Sequence, residues 1–523
     1  MPYIALILLA AVVLSPALSG GILYWDDVVN ITNNTPLLSQ NWWAIWSESY
    51  YGLYIPVTYT VWSFVYSIWS DPMAFHILNV VLHGLCAGVL YALTRTVWPD
   101  SKRVVAWVAA LAFLLHPLQV EPVAWISGGR DLLSAFFGLT AILILARSNA
   151  TRDLLIATVV FSLGLLCKAL IAPLPFALLV FQRFRLGLTK KKWIFIIIWE
   201  NAAFAALVIN QKVQFANTEV MLKRLPLPER ILTALDTAGF YLRKLVWPWP
   251  QMADYGRIPE VVINEGLFWG SLIPLGIFAA VIAHGIWRKK WPELEGWAFA
   301  AIAVSPVLGI VHFMAQSQST TADRYMYVPL AGVALALGHF AGRSRIALFA
   351  ICPVLLAWAI ADFNRAAVWK DNLSFFSDMI EKNPQSFPGH TTIGVVFFQK
   401  GQPDKAIEHF KIAHAIRPDM VSPVSNLAAM YWETRQLDKI FHEIEPFLRS
   451  REFIEKNRNQ KGSLSRMARV LGRAYYYADR KHEAHRTLCF AKQLDDTIPE
   501  GGMELMSIEA TLGLKCGEKI ETL

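Results

Sequence analysis

The sequence predicts an all-α protein, a polytopic membrane helix bundle of about 11 spans followed by a solenoid of helical repeats. Three observations predict it. Long apolar runs crowd residues 1–363. The chain is 55% hydrophobic and only 17% charged, which excludes an ordinary soluble globule. Residues 364–523 instead space their apolar positions as amphipathic helices do. The division is therefore a membrane domain over 1–363 and a repeat domain over 364–523.

Runs long enough to cross a bilayer lie at 4–23, 73–97, 104–118, 131–146, 153–167, 169–182, 193–210, 267–287, 297–314, 325–341 and 346–362. Ala17-Leu18-Ser19 offers a signal-peptide cleavage site, but no Lys or Arg precedes the first run. An uncleaved first membrane helix is expected. Basic residues cluster in alternate turns: Lys102 and Arg103; Arg147 and Arg152; Arg183, Arg185 and Lys190 to Lys192; Arg288 to Lys290; Arg343 and Arg345. With the N-terminus inside, all fall on one side, and the positive-inside rule makes it the cytoplasm. The same rule accounts for the net charge of +8 without nucleic acid. An odd span count places residues 364–523 outside, on the same side as Asp26 and Asp27. A full crossing at 231–247 would break the pattern, so that apolar stretch reads as a re-entrant or surface helix.

The opposite turns hold acids and bases together. Asp26 and Asp27 follow the first run, and ionisable residues near membrane depth mark functional sites. Adjacent carboxylates repel, which raises one pKa, and either can supply a general base; the bland alternative is a loop cap. His116 and Glu121 sit in His116-Pro117-Leu118-Gln119-Val120-Glu121-Pro122, a spacing that fits no strong metal motif and suits the orienting of hydroxyls. Arg130 is a candidate phosphate contact, whereas Asp131 reads as a helix cap. Lys168 either snorkels to the interface or neutralises a lipid phosphate. Arg324, in Asp323-Arg324-Tyr325, offers a planar fork to phosphate oxygens, or else a salt bridge to Asp323. His76, Asn79 and His83 share a helix face; His83 suits interhelical hydrogen bonding, and His76, nearer the outside, can line the site. Trp42-Trp43 and the aromatics from Tyr50 to Tyr59 suit the membrane interface. Five cysteines show no zinc-ligand spacing, although Cys489 and Cys516 could pair.

In the last third, Ile393, Gly394, Phe397, Gly401, Ala406, Phe410 and Ala413 have counterparts 34 residues later at Leu427, Ala428, Tyr431, Arg435, Ile440, Ile444 and Phe447. A third unit has Leu471, Gly472, Tyr475, Ala484, Leu488 and Ala491 after an insertion of roughly ten residues, and Phe376 and Met379 fit a half repeat. Period and positions resemble the tetratricopeptide repeat, whose stacked helices offer a concave surface to a protein or peptide.

Together, Asp26-Asp27, Phe75-His76-Ile77-Leu78-Asn79 through His83, His116-Pro117 through Glu121 to Arg130-Asp131, Lys168, Ala322-Asp323-Arg324-Tyr325 and the following repeats resemble the transmembrane and tetratricopeptide repeat-containing (TMTC) O-mannosyltransferases and their bacterial relatives. The resemblance covers nearly the whole chain. It implies a GT-C glycosyltransferase, a polyprenyl-phosphate-linked sugar as donor substrate, and an inverting transfer to a hydroxyl of a protein Ser or Thr. It also implies that the first-loop acidic pair, Asp26 and Asp27, supplies the base. The other residues of the motifs, His76, His116, Glu121, Arg130, Lys168, Asp323, Arg324 and Tyr325, would bind the substrates. The scheme requires no metal or cofactor. The chain departs from the family at Ala169, where an acidic residue often follows the lysine, and at Ile55, where an arginine often precedes the proline. A scaffold protein with an inactive core, working through its repeats, is the alternative. A transporter fits less well, because the ionisable residues gather at one face and not at the midplane.

Overall fold

The structure is a computed structural model that describes residues 2–182, 189–216, 225–497 and 501–517. Arg183 and Arg185 lie outside the described residues. Every regular element among the described residues is helical. The chain divides into two compact units, Met1–Phe375 and Phe376–Leu523.

Among the described residues of the first unit, five helices are long and apolar enough to cross a membrane: Pro72–Val97, Ile126–Arg147, Lys190–Gln214, Phe268–Trp287 and Arg345–Val368. A sixth candidate is the pair Arg103–Leu115 and Pro117–Ala124, bent by 54°. The bend falls at His116-Pro117, where proline has no N–H to continue the ladder. Pro2–Val13, Ala169–Val180 and Pro329–Gly342 are apolar but shorter. The expected first span is likewise interrupted: helix Pro2–Val13 gives way to a 3-10 turn at Ser15–Ser19 that contains Pro16. The stretch expected at the surface is the helix Leu227–Val246, which is not among the membrane-length apolar helices.

Local chemistry sets the long helices. Pro72 opens one at its first position, and the Asp71 carboxylate caps it by accepting from the Met73 N–H at 2.8 Å. Its 26 residues rise about 39 Å, enough for a bilayer core. Ser344 caps Arg345–Val368 in the same way, accepting from the Ala347 N–H at 3.1 Å. Close approach of Trp291–Val304 to Pro329–Gly342 depends on glycine: a Cβ on Gly296 would lie 2.5 Å from the Gly332 carbonyl oxygen.

The basic turns share one end of this unit. Lys102, Arg288 to Lys290 and Arg343 line one cavity. Arg147 donates to the Thr96 hydroxyl at 3.1 Å, and Lys191 reaches the Asn149 carbonyl at 3.5 Å.

The second unit consists of helices joined by tight turns. Three of those turns repeat one backbone device. Gly401, Arg435 and Asp479 all have positive φ, at +70°, +60° and +58°. In each, the next residue's N–H bonds back five positions: Gln402 to Phe397, Gln436 to Tyr431 and Arg480 to Tyr475, at 2.8–2.9 Å. These are closures of the Schellman kind. The first two turns are 34 residues apart and the second two 44 (435 − 401; 479 − 435), the period and the period plus the expected insertion. Helices also pair where a glycine faces a large side chain 16 residues later: a Cβ on Gly394 would meet the Phe410 ring at 2.5 Å, and one on Gly472 the Leu488 side chain at 2.7 Å. Phe376 and Met379, assigned to a half repeat, are fully buried.

Cys489 and Cys516 form a disulfide that ties the end of the described chain to helix Lys481–Leu494, with His485 and Glu509 beside it. Closing a loop of this size stabilises by about 3–4 kcal/mol. Cys489→Ser with Cys516→Ser should therefore raise hydrogen exchange in helix Gly502–Leu512 while leaving helix Phe387–Gln399 unchanged. Equal exchange in wild type and variant would show that the bond holds nothing in place.

Candidate active site

Asp26 and Asp27 differ sharply in surroundings. Asp27 is fully buried at the start of the turn Val28–Thr32. Its carboxylate accepts from the Ser127 N–H at 2.9 Å, the Ser127 hydroxyl at 2.6 Å and the Leu23 N–H at 3.2 Å. Burial pushes its pKa up to about 7, against the pull of those hydrogen bonds, and the charge of Asp26 adds to the rise. Asp27 thus pins the first loop to the segment that carries Arg130. The Asp26 side chain is 44% exposed and meets the Arg130 guanidinium at 3.1 Å. Of the two carboxylates, Asp26 is the one open to a substrate.

The same loop is held from its other side. The Gly21 N–H donates to the Lys370 carbonyl at 2.9 Å, the Tyr24 N–H to the Asn372 side chain at 2.7 Å, and Asn372 donates back to the Ile22 carbonyl at 3.1 Å. Trp25 and Phe375 meet edge to face, 6.2 Å between centroids.

The cations gather around Trp125. The guanidinium of Arg130 lies over its ring at 5.2 Å and that of Arg324 at 5.5 Å. Asn79 fixes this segment by donating to the carbonyls of Trp125 at 2.9 Å and Val123 at 3.3 Å. Arg324 is paired through its side chain to Glu121, and its own N–H bonds the same carboxylate at 3.2 Å. Lys168, in the break between two apolar helices, bonds Asp131 at 2.6 Å.

These pairings revise three expectations. The partner of Arg324 is Glu121, 203 residues away, while Asp323 instead accepts from the Tyr255 hydroxyl at 2.7 Å. Glu121 is committed to that pair and is not free to orient hydroxyls. Asp131 is not a cap: its helix begins at Gly129, and the carboxylate holds Lys168.

His116 and His76 stand apart from the cluster. Both nitrogens of His116 are engaged by backbone, one accepting from the Leu118 N–H at 3.3 Å and the other bonding the Leu245 carbonyl at 3.4 Å. Its ring packs on Trp358. His76 is buried beneath the first loop, where a Cβ on Gly20 would lie 2.7 Å from its Nε2. Tyr325 is buried with the Arg324 guanidinium over its ring at 5.0 Å. His83 bridges helices as expected, bonding the Tyr327 hydroxyl at 2.9 Å and the Leu114 carbonyl at 3.0 Å.

Sequence reasoning missed the support from residues 236–257. Lys244 donates to the Pro248 carbonyl at 3.0 Å and to that of Pro250, and its ammonium lies 4.6 Å from the Tyr255 ring centroid. Asp323 is fully buried here; burial raises its pKa to about 7, while Lys244 lowers it. Gln251 donates to the Pro117 carbonyl. The only sequence signal was the Trp247-Pro248-Trp249-Pro250 turn.

The raised pKa of Asp27 has a consequence for stability. Below about 3.8 both folded and unfolded chains hold the proton; between 3.8 and about 7 only the folded chain keeps it. Stability from this group is therefore lost as pH rises through that window. Thermal melting of the purified protein should fall less steeply from pH 4 to 7 in Asp27→Asn than in wild type. Equal slopes would contradict the burial argument.

No family model matches the chain. It is similar to a protein O-mannosyl-transferase of Caenorhabditis elegans, 24% identical over 458 residues, covering 79% of this chain and 63% of that protein. It is also similar to protein O-mannosyl-transferase TMTC3 of Mus musculus, 23% identical over 469 residues, covering 78% of this chain and 50% of that protein. A shorter match, to protein O-mannosyl-transferase TMTC1 of Mus musculus, is 36% identical over 143 residues, 24% of this chain and 14% of that protein. The chain thus spans one half to two thirds of the length of the two relatives it matches most extensively. The resemblance to the TMTC proteins read from the motifs is present across most of the chain.

Proposed function

We propose that this chain is a membrane glycosyltransferase that moves a sugar, as the names of its relatives suggest a mannose, from a polyprenyl-phosphate carrier to a hydroxyl of a protein. The observation that carries the proposal is the placement of Asp26: a half-exposed carboxylate beside Arg130, whose guanidinium shares the Trp125 ring with that of Arg324. A base and fixed cations at one end of a membrane bundle fit transfer from a lipid phosphate. Asp26 would take the proton from the acceptor hydroxyl as its oxygen attacks the anomeric carbon. The bond from that carbon to the phosphate oxygen breaks, and the electron pair leaves with the phosphate. Attack opposite the leaving group inverts the anomeric centre. Charge grows on the phosphate in the transition state, so cations at Arg130, Arg324 and Lys168 would stabilise it more than the ground state.

The reaction would occur on the face opposite the basic turns, in the periplasm of a bacterial inner membrane. Clustering of those turns at one end supports this orientation. The Cys489–Cys516 disulfide supports an oxidising compartment for the second unit. The paired helices of that unit would hold the acceptor protein as tetratricopeptide repeats do. A cysteine placed at exposed Lys439 should then react with an impermeant thiol reagent in intact cells. Labelling only after the membrane is opened would reverse the orientation.

Glycoproteomes of cells carrying wild type or Asp26→Asn test the function. Loss of hexose from Ser or Thr in the variant is expected. Unchanged glycosylation, with the phenotype instead following deletion of 387–523, would favour the scaffold reading.

A further inference from the structure

The far end of the first unit carries a second charged feature that sugar transfer does not use. A cavity of about 470 Å³ is bordered by Lys102, Arg288, Lys289, Lys290 and Arg343, with one carboxylate, Glu293. Glu293 pairs with Arg343. Five cations less one carboxylate leave a net charge of four. Among the described residues, Lys102, Lys289 and Lys290 have no carboxylate partner, and Arg288 stacks on Trp287 at 4.2 Å.

Two features beyond charge point to an anion. The amino ends of helices Arg103–Leu115 and Trp291–Val304 both border the cavity, through Lys102 and Lys290 as their capping residues. Neither end has a side-chain cap, so the positive ends of two helix dipoles border the cavity uncompensated by a capping side chain. Lys289 is also held at φ +52°. This conformation closes helix Phe268–Trp287, with the Lys290 N–H bonded to the Gly285 carbonyl at 2.8 Å. Glycine would adopt it without strain, yet a lysine stands there, which adds a charge at the mouth of the cavity.

We propose that this cavity is a binding site for the phosphate of an anionic phospholipid headgroup. A basic pocket among membrane helices at the positively charged end suits that chemistry. The surrounding exposed aromatics and aliphatics, Trp287 at 69%, Ile286 at 53% and Phe340 at 53%, would lie against its acyl chains. The site is distinct from the transfer site. Arg95 lies in the last turn of helix Pro72–Val97 and bonds Ser101 at the cavity, whereas Asn79 near the start of that helix holds the Trp125 segment.

The test uses the full chain in nanodiscs of phosphatidylcholine alone or with phosphatidylglycerol. Native mass spectrometry of the extracted protein should find phosphatidylglycerol retained by wild type. Lys102→Gln with Lys289→Gln and Lys290→Gln should weaken retention by about fivefold for each charge removed. The corresponding three Lys→Arg changes, which keep the charge, should retain the lipid and exclude a folding defect as the cause. Phosphatidylglycerol should raise the melting temperature of wild type more than inorganic phosphate does. Equal retention by wild type and the Gln variant would overturn the proposal. A full melting shift with inorganic phosphate, to which the lipid adds nothing, would overturn it in favour of a free-phosphate site.

Discussion

Asp26→Asn should lower sugar transfer by about 10²–10⁴-fold, the usual contribution of a positioned general base, with the protein still folded and inserted. The asparagine keeps the size of the side chain and can still accept from Arg130, so the loop geometry should survive. Only the capacity to take a proton is lost. Asp27→Asn should act differently, because Asp27 is buried and already accepts three hydrogen bonds. Its effect should come through the position of the first loop: a smaller fall in rate together with an altered pH dependence of melting. Transfer by purified protein at saturating donor separates the two. A double variant with near-normal turnover would remove the acidic pair from the mechanism.

Arg324→Ala should have the second-largest effect, and it should be twofold. Glu121 is only 4% exposed, so removing its partner leaves a buried carboxylate without compensation, at a cost of about 3–5 kcal/mol in stability. Transfer should fall by about 10²–10³-fold if the guanidinium also meets the donor phosphate. Arg324→Lys should restore part of the stability and less of the transfer, since an ammonium cannot reproduce the planar fork. Arg324→Ala with Glu121→Gln should recover stability without recovering transfer. If both single variants bind donor as wild type does, Arg324 is only the structural partner of Glu121.

The sequence made the charged cluster legible but not its pairings. Asp26, Arg130, Lys168 and Arg324 could be placed on one face by alternating the apolar runs, because the sign of each loop is a local property. Which carboxylate meets which cation depends on helix packing across the chain. Asp323 was the obvious neighbour of Arg324, yet its side chain turns to Tyr255 and leaves the cation to Glu121. Lys244 and Tyr255 were invisible for the same reason: one is buried in the last turn of an amphipathic helix and the other follows the proline-rich turn after it, with no motif spacing to mark either. Helix lengths were only partly legible. Hydropathy runs on through Ser15-Pro16 and His116-Pro117, but the backbone breaks there. The repeat period, by contrast, was plain in sequence because it is written twice over, in the small residues that let helices approach and in the turns that follow them.

The most direct measurement is transfer by the purified full-length chain from a synthetic polyprenyl-phosphate mannose, with the sugar in the β configuration, to an acceptor protein. The product linkage is read by NMR or by linkage-specific mannosidases. The account predicts mannose on Ser or Thr in the α configuration, formed by wild type and not by Asp26→Asn. Retained β configuration, or transfer that persists unchanged in Asp26→Asn, would contradict direct displacement by a hydroxyl that Asp26 deprotonates.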